Sequence, residues 1–336
     1  MKKLVLLFLV SLLVLIPFSG CGDQPLEDDE PIGMAVEFMS HAACAYIAQD
    51  MNWYEEEGLN LTAYESYATG MALAAALARD DIQVAYLCLV PAINLYANAG
   101  VEIRVVAGTH KYGYSLVVDP EKIDSVEDLE QEGIRIGCVR EGGAVDVLLH
   151  KTIDKYGLDE EKVMANIQRM NPQKLTLAVS MGQLGAAFIP EQWATMTEES
   201  GFETLLLSQD IWPDMQGSVL VVKQDLIDNH PEIVACLVEL TDRANQWAND
   251  HPDEAAEVVA RQLGGVGSGL FPVEVADVVT QLEITPEVLL RSMARLDYTT
   301  AIDAETVQNV IDYVAELGYI NASFDANQIL DLSFLE

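Results

Sequence analysis

GYSLVVDPEKID, Gly113–Asp124, is echoed further along the chain by GSVLVVKQDLID, Gly217–Asp228. Each segment opens on glycine, runs through Leu-Val-Val, and passes a polar turn to reach Ile-Asp. A short continuous apolar run bounded by turn residues reads as a strand covered on both faces. Two such strands either serve one architectural purpose twice or coincide because their composition is favoured.

The flanking sequence supplies the setting. Ile32–Phe38 alternates and leads into a helical stretch, Ala42–Tyr54; Leu59–Glu65, Gly70–Ala78, Gln83–Val90, Ala92–Asn98 and Glu102–Gly108 follow. A second series opens at Ile134–Val139 and continues through Ala144–Tyr156, Ala186–Ile189 and Glu203–Leu207. Short apolar segments alternating with helices predict βαβ units and an α/β class built on mainly parallel sheets. After Gly217–Val222 the chain predicts helices at Pro231–Asn249, Pro252–Leu263, Val273–Gln281, Pro286–Leu296 and Ala304–Leu317. His230-Pro231-Glu232 and His251-Pro252-Asp253 put proline at the first helical position and acids in the first turn, so those histidines mark helix starts. Gly264–Gly269, GGVGSG, follows a helix and has no lysine, so it reads as a flexible connection and not a phosphate loop.

A chain of 336 residues, half of them apolar, has room for two domains. Lys2 and Lys3 precede an apolar run, Leu4–Phe18, too short for a comfortable membrane span, which reads as an export signal over residues 1–20. Phe18-Ser19-Gly20-Cys21 resembles the lipobox of secreted lipoproteins, which implies lipidation at Cys21; an ordinary signal peptide is the alternative. Residues 21–31, acidic and carrying two prolines, read as a solvated tether. Cys44, Cys88, Cys138 and Cys236 sit in apolar surroundings at irregular spacing and read as small buried hydrophobes, with one disulfide still possible. The formal charge is −36, or −38 without Lys2 and Lys3, which excludes nucleic acid as a partner and leaves a small anion possible in a screened cleft.

Several stretches resemble the solute-binding proteins of ABC importers in the nitrate, sulfonate and taurine group. They are Ala48–Leu59 (AQDMNWYEEEGL), Met71–Leu77, Ile123–Leu129 leading into Ile134–Gly137, and Gly182–Phe188. Asn52 stands where that family usually has glycine and keeps the left-handed helix end accessible. Gln83, Gly185 and Gln192 depart from the family pattern, which loosens any transfer of ligand identity. The resemblance implies a two-lobed, type II periplasmic-binding-protein-like fold with two hinge crossovers and a helical C-terminal region. Residues 32–114 with 219–336 would form one lobe and 115–218 the other. Gly113–Val118 would then be the outgoing hinge strand and Gly217–Val222 its adjacent return.

A cleft between two α/β domains sets the carboxyl ends of strands and the following helix N-termini opposite one another. The ligand-binding candidates are therefore Phe38, Ser40 and His41 after the first strand, Tyr67 and Thr69 after the second, and Leu89 after the third. His110 before the hinge, Arg140, Gly142 and Gly143 at a strand-to-helix turn, and Glu191 after a later strand complete the set. Arg140 alternatively balances Glu141 at the surface, and His41 and His110 alternatively serve as structural hydrogen-bonding groups. Trp193 and Trp212 read as core or rim. No HExxH, GxSxG or clustered His and Asp is present, so no catalytic residue, metal site or cofactor is expected. The expected function is an exported, lipid-anchored, monomeric receptor at the outer face of the cytoplasmic membrane that captures a small solute, a sulfonate-, nitrate- or taurine-like anion or a small heterocycle, and hands it to an ABC permease and its ATPase; Tyr46, Tyr64, Tyr67 and Trp193 are the aromatic walls a heterocycle would need. An enzyme on the same scaffold and a ligand-sensing lipoprotein are the alternatives.

Overall fold

The computed structural model describes Leu26, residues 29–266 and residues 283–335. The expected export signal, Cys21, most of the tether and the helix Val273–Gln281 lie outside the described residues. Among the described residues no helix is long and apolar enough to cross a membrane.

The elements in chain order are β1 (Ile32–Glu37), α1 (Ala43–Asp50), α2 (Trp53–Glu56), β2 (Leu61–Tyr67), α3 (Gly70–Ala78), β3 (Val84–Cys88), α4 (Leu89–Ala99) and β4 (Ile103–Tyr112). Then come β5 (Tyr114–Val118), β6 (Ile136–Cys138), α5 (Ala144–Tyr156), α6 (Glu160–Ala165), β7 (Ile167–Arg169), α7 (Pro172–Ser180), β8 (Ala186–Pro190), α8 (Glu191–Glu198), β9 (Glu203–Leu207) and α9 (Ser208–Ile211). The chain closes with β10 (Gln216–Lys223), α10 (Gln224–Asn229), α11 (Pro231–Asp250), α12 (Pro252–Val266), α13 (Pro286–Met293), β11 (Leu296–Asp297) and α14 (Ala304–Glu316).

Two mixed sheets result, ordered β11-β4-β10-β3-β1-β2 and β7-β6-β8-β5-β9. In the first, β1 runs parallel to β2 and β3, and β10 lies antiparallel between β3 and β4. In the second, β6 is parallel to β7 and β8, and β5 lies antiparallel between β8 and β9. The echoing segments are thus the same piece of architecture in two places. Each is the first strand laid down after the chain crosses to a sheet, and each is buried along its length between antiparallel neighbours. That burial explains the shared Leu-Val-Val. The expected side-by-side hinge pair is corrected: β5 and β10 belong to different sheets, and β10 pairs instead with β4, the strand leading into the first crossing. The two crossings lie close together, with Tyr112 N–H bonded to the Met215 carbonyl at 3.0 Å.

At the first crossing Tyr112 and Gly113 are both left-handed, with φ of 65° and 92°. Asn52 also takes the left-handed conformation expected of it, φ 61°, between α1 and α2. The expected flexible connection at Gly264 is shifted, because α12 continues through Gly264 and Gly265 to Val266; helical hydrogen bonding tolerates two glycines at an exposed end. The remainder of GGVGSG lies outside the described residues.

Apolar packing passes from one sheet to the other. One cluster joins Ile32, Val36 and Phe38 to Leu175, Ile189 and Trp193, and another joins Ala35 and Leu87 to Leu116, Leu148 and Phe188. Helix α13 packs on both α12 and α8, so it touches both halves of the molecule.

Candidate functional site

Where the parallel strands of the two sheets end, the chain turns into helices whose N-termini face a shared cavity of about 60 Å³. Its walls come from the first sheet through Glu37, Met39, Thr69, Gly70, Cys88 and Pro91, and from the second through Arg140, Gly143, Ala144, Pro172 and Pro190, with Tyr114 at the crossing. Helices α3, α5, α7 and α8 all begin at or beside this wall. Gly143 and Pro190, at the caps of α5 and α8, provide no side-chain capping bond; the first N–H of α8, on Glu191, donates to the Gly113 carbonyl at 2.8 Å, so it is at α5 that first-turn N–H groups and the positive end of the helix dipole favour an anion.

Of the sequence candidates, the structure brings Thr69, Arg140 and Gly143 to the cavity. Thr69 caps α3, its hydroxyl accepting from Ala72 N–H at 3.3 Å. Arg140 is exposed and makes no ion pair among the described residues, so its guanidinium is available to a guest. The other candidates do not form the wall, each for a visible reason. Phe38 is buried against Trp193, ring centroids 6.3 Å apart. Ser40 is buried where the halves meet, its N–H donating to Gln192 Oε1 at 2.8 Å and its carbonyl accepting from Tyr298 at 2.9 Å. Tyr67 turns its hydroxyl to Glu65, and Leu89 is core. Gly142 is a turn residue with φ 76°, donating to Asp146 at 2.9 Å and accepting from Asn94 at 3.0 Å.

Glu191 is buried and committed elsewhere: it accepts from Arg295 at 2.7 Å, from Ser115 and from Thr195. Burial raises its carboxyl above the ordinary range, and Ser115 and Arg295 pull it back down. Sequence reading missed Arg295, which also bonds Glu198 at 2.7 Å and so clamps both ends of α8.

His41 and His110 pack together inside the crossing, their ring centroids 4.4 Å apart and their planes tilted by 51°. His41 Nε2 lies 2.7 Å from the Gly113 carbonyl; a carbonyl only accepts, so this nitrogen carries the proton. Burial drives His41 down to about 4 and His110 well below its usual value. Both sit at the crossing, and neither lines the cavity. They also explain the glycines that open the echo. A Cβ at Gly113 would stand 2.7 Å from His41 Nε2, and one at Gly217 would meet the His110 ring and the Tyr112 carbonyl.

Among the wall residues that the sequence reading did not nominate, three carry polar side chains: Glu37, Cys88 and Tyr114. Glu37 ends an otherwise apolar strand, IGMAVE, and a carboxylate at the carboxyl end of a buried strand is a cleft signal that was available. It is buried, and burial pushes its carboxyl from 4.5 to about 7 despite the hydrogen bond from Cys88 at 3.0 Å. Its other oxygen fills the space a side chain would need at Gly70. Cys88, expected to be a small hydrophobe like Cys44, Cys138 and Cys236, is instead polar in its contacts, accepting from Tyr114 at 3.0 Å and from Ser218 at 3.6 Å. All four thiols are buried, and Cys44, Cys88 and Cys138 form no disulfide among the described residues. Contrary to the expectation of no clustered ligands, a carboxylate oxygen of Glu37, a ring nitrogen of His41 and the sulfur of Cys88 lie within 4.8 Å of one another.

Comparison with known proteins bears on this geometry. The sequence model of the NMT1-like family matches residues 27–264. The taurine-binding periplasmic protein of Escherichia coli (strain K12) is 24% identical over 252 residues, 72% of this chain and 76% of that protein. Among solved structures, the alkanesulfonate-binding protein of Xanthomonas axonopodis pv. citri bound to MOPS superposes with a TM-score of 0.74 at 14% identity, covering 92% of this chain and all of that one. The periplasmic nitrate-binding protein of Synechocystis PCC 6803 gives a TM-score of 0.71 at 13% identity, covering 93% of this chain and 88% of that one. At these identities the structural likeness establishes the periplasmic-binding-protein fold.

Proposed function

The chain belongs to the NMT1-like family, and from that premise we propose that it is a solute-binding protein of an ABC importer. It captures a small solute with an anionic end between two lobes and presents the closed form to a permease. Residues 32–114 with 219–336 form one lobe and 115–218 the other. The observation that carries this reading is the cavity wall, in which Thr69 and the start of α3 face Arg140, Gly143 and the start of α5 from the other sheet. Only with the halves together does a guest meet all of these groups, so binding shifts the population toward closure. The E. coli relative binds taurine by its name, and a sulfonate-ended solute suits the donors here: backbone N–H groups and one free guanidinium.

The same reading places the protein outside the cytoplasm, released from its export signal and held by acyl chains on Cys21. Two chains, at about 0.8 kcal/mol per buried methylene, anchor a soluble domain stably. Nothing in the cavity wall requires turnover.

Calorimetry of the purified chain against taurine, methanesulfonate and nitrate tests the proposal. One solute binds with one-to-one stoichiometry and is recovered unchanged, and Arg140→Ala weakens it about tenfold or more, the loss of one charge-assisted hydrogen bond. Consumption of the solute, or full affinity in Arg140→Ala, overturns it.

A further inference from the structure

The floor of the cavity carries a constellation that solute capture does not use. Cys88 Sγ is 3.0 Å from Glu37 Oε2 and 3.9 Å from His41 Nδ1, and the three groups are buried. Metal–ligand bonds of about 2.0–2.3 Å put the ligand atoms of a tetrahedral zinc site roughly 3.3–3.8 Å apart; all three ligand atoms lie within 4.8 Å of one another, so side-chain movements of about 1 Å bring them onto one ion. The His41 tautomer is already set: Nε2–H donates to the Gly113 carbonyl at 2.7 Å, leaving the Nδ1 lone pair facing the sulfur. A ligating histidine is commonly oriented in this way, by a carbonyl on its far nitrogen. The sulfur in turn accepts from the Tyr114 and Ser218 hydroxyls, the contacts that steady a thiolate. Charge points the same way. A carboxylate, a thiolate and a neutral imidazole sum to −2, and a divalent ion renders the buried group neutral.

We propose that Glu37, His41 and Cys88 form a binding site for one zinc-class divalent cation, with a fourth coordination position open to the cavity. Thiolate and imidazole together select a borderline-soft ion over calcium or magnesium. Coordination forms a metal–sulfur bond and releases the thiol proton to solvent. Glu37 and Cys88 line the cavity while His41 stands behind them, which leaves the open position on the solute side, as in sites that keep one exchangeable ligand. The proposal stands on these three side chains and does not depend on which solute the cleft accepts.

Cobalt(II) is the probe. The full chain, stripped with a chelator and titrated with no solute present, takes up one cobalt per chain with the sulfur-to-cobalt charge-transfer band and the intense visible bands of a four-coordinate site, and zinc displaces it. Cys88→Ser abolishes the charge-transfer band, Glu37→Gln and His41→Ala each weaken zinc at least tenfold, and Tyr114→Phe weakens it about tenfold through loss of an orienting hydrogen bond. X-ray absorption of the zinc-loaded wild type, which requires no variant to fold, shows one sulfur among nitrogen and oxygen ligands. A charge-transfer band that persists in Cys88→Ser, a zinc shell without sulfur, or no stoichiometric uptake overturns the proposal. Loss of solute binding in Arg140→Ala with the cobalt spectrum intact leaves the metal site standing, whereas the converse removes it alone.

Discussion

Gly113 answers to two constraints at once: its φ is 92°, and a Cβ there would stand 2.7 Å from His41 Nε2. Gly217 carries only the second, its hypothetical Cβ lying against the His110 ring and 2.7 Å from the Tyr112 carbonyl. Gly100 carries only the first, φ 63° with no atom within 4 Å. Alanine at the three positions therefore separates backbone strain from crowding. Gly100→Ala costs about 1 kcal/mol for the left-handed conformation alone, and Gly113→Ala and Gly217→Ala cost about 2–4 kcal/mol each, as expected of strain or overpacking in a rigid interior. Denaturant midpoints measure all three, and equal losses would refute the role assigned to the histidines. The echo shows what single residues disclose: glycine in both copies was plain in the sequence, but the crowding histidines come from other segments. Glu191 teaches the complementary lesson. Its place after a strand was legible, while its partner Arg295 lies far along the chain and left no local mark. Removing that partner strands a buried carboxylate, so Arg295→Met loses about 3–5 kcal/mol by thermal or chemical unfolding. The double change with Glu191→Gln recovers most of it; no recovery would mean that Arg295 acts through packing alone.

Elements were the most legible scale where a local rule set them. Helix α3 starts at Gly70 because Thr69 caps it, and α5 and β9 occupy the spans their apolar spacing predicts. The short segments between Glu160 and Ser180 were unread because three residues of β7 carry too little periodicity to register, and its register comes from β6 alongside. The sheet partners of β5 and β10 were hidden for a related reason. Burial on both faces erases the alternation that distinguishes neighbours, so composition reported burial without saying against what. Docking between elements is equally nonlocal. Asp50, closing α1, receives Arg261 of α12 through two bonds, at 3.1 and 2.6 Å, and this pairing holds its carboxyl below the usual range. A folded-state value lower than the unfolded one stabilises fully above the unfolded value, near 3.9, and that contribution is lost as pH falls through the folded value. Asp50→Asn should therefore melt below the wild type at pH 6 and converge with it as the pH falls below the folded-state value. A gap that stays constant across that window would show that the charge is not what joins α1 to α12.

For the molecule as a whole, two quantities compete over how the halves meet. The formal charge of −36 favours separation. Against it stand contacts that bridge the junction: Ser40 to Gln192, Asn94 to Gly142, Tyr319 to Asp146 at 2.5 Å, and α13 set against both α8 and α12. Raising salt from about 0.01 M to about 1 M shortens the screening length from about 30 Å to about 3 Å, which weakens the repulsion while leaving buried hydrogen bonds nearly untouched. Thermal stability should consequently rise with salt, and a flat or falling trend would mean that the acidic surface does not oppose the compact state. The cavity adds a second constraint. At about 60 Å³ it is far smaller than the roughly 300–1,000 Å³ of ordinary ligand pockets, so a solute enters only after the halves part. Small-angle scattering at low salt without solute should show a radius of gyration above that calculated from this structure, and saturating taurine or methanesulfonate should bring it down to that value. Asn94→Ala, which removes a bridging bond without touching the cavity wall, should weaken solute binding several-fold by raising the cost of closure. A profile that already fits the structure without solute and does not move on binding would show that capture proceeds with no change in the junction.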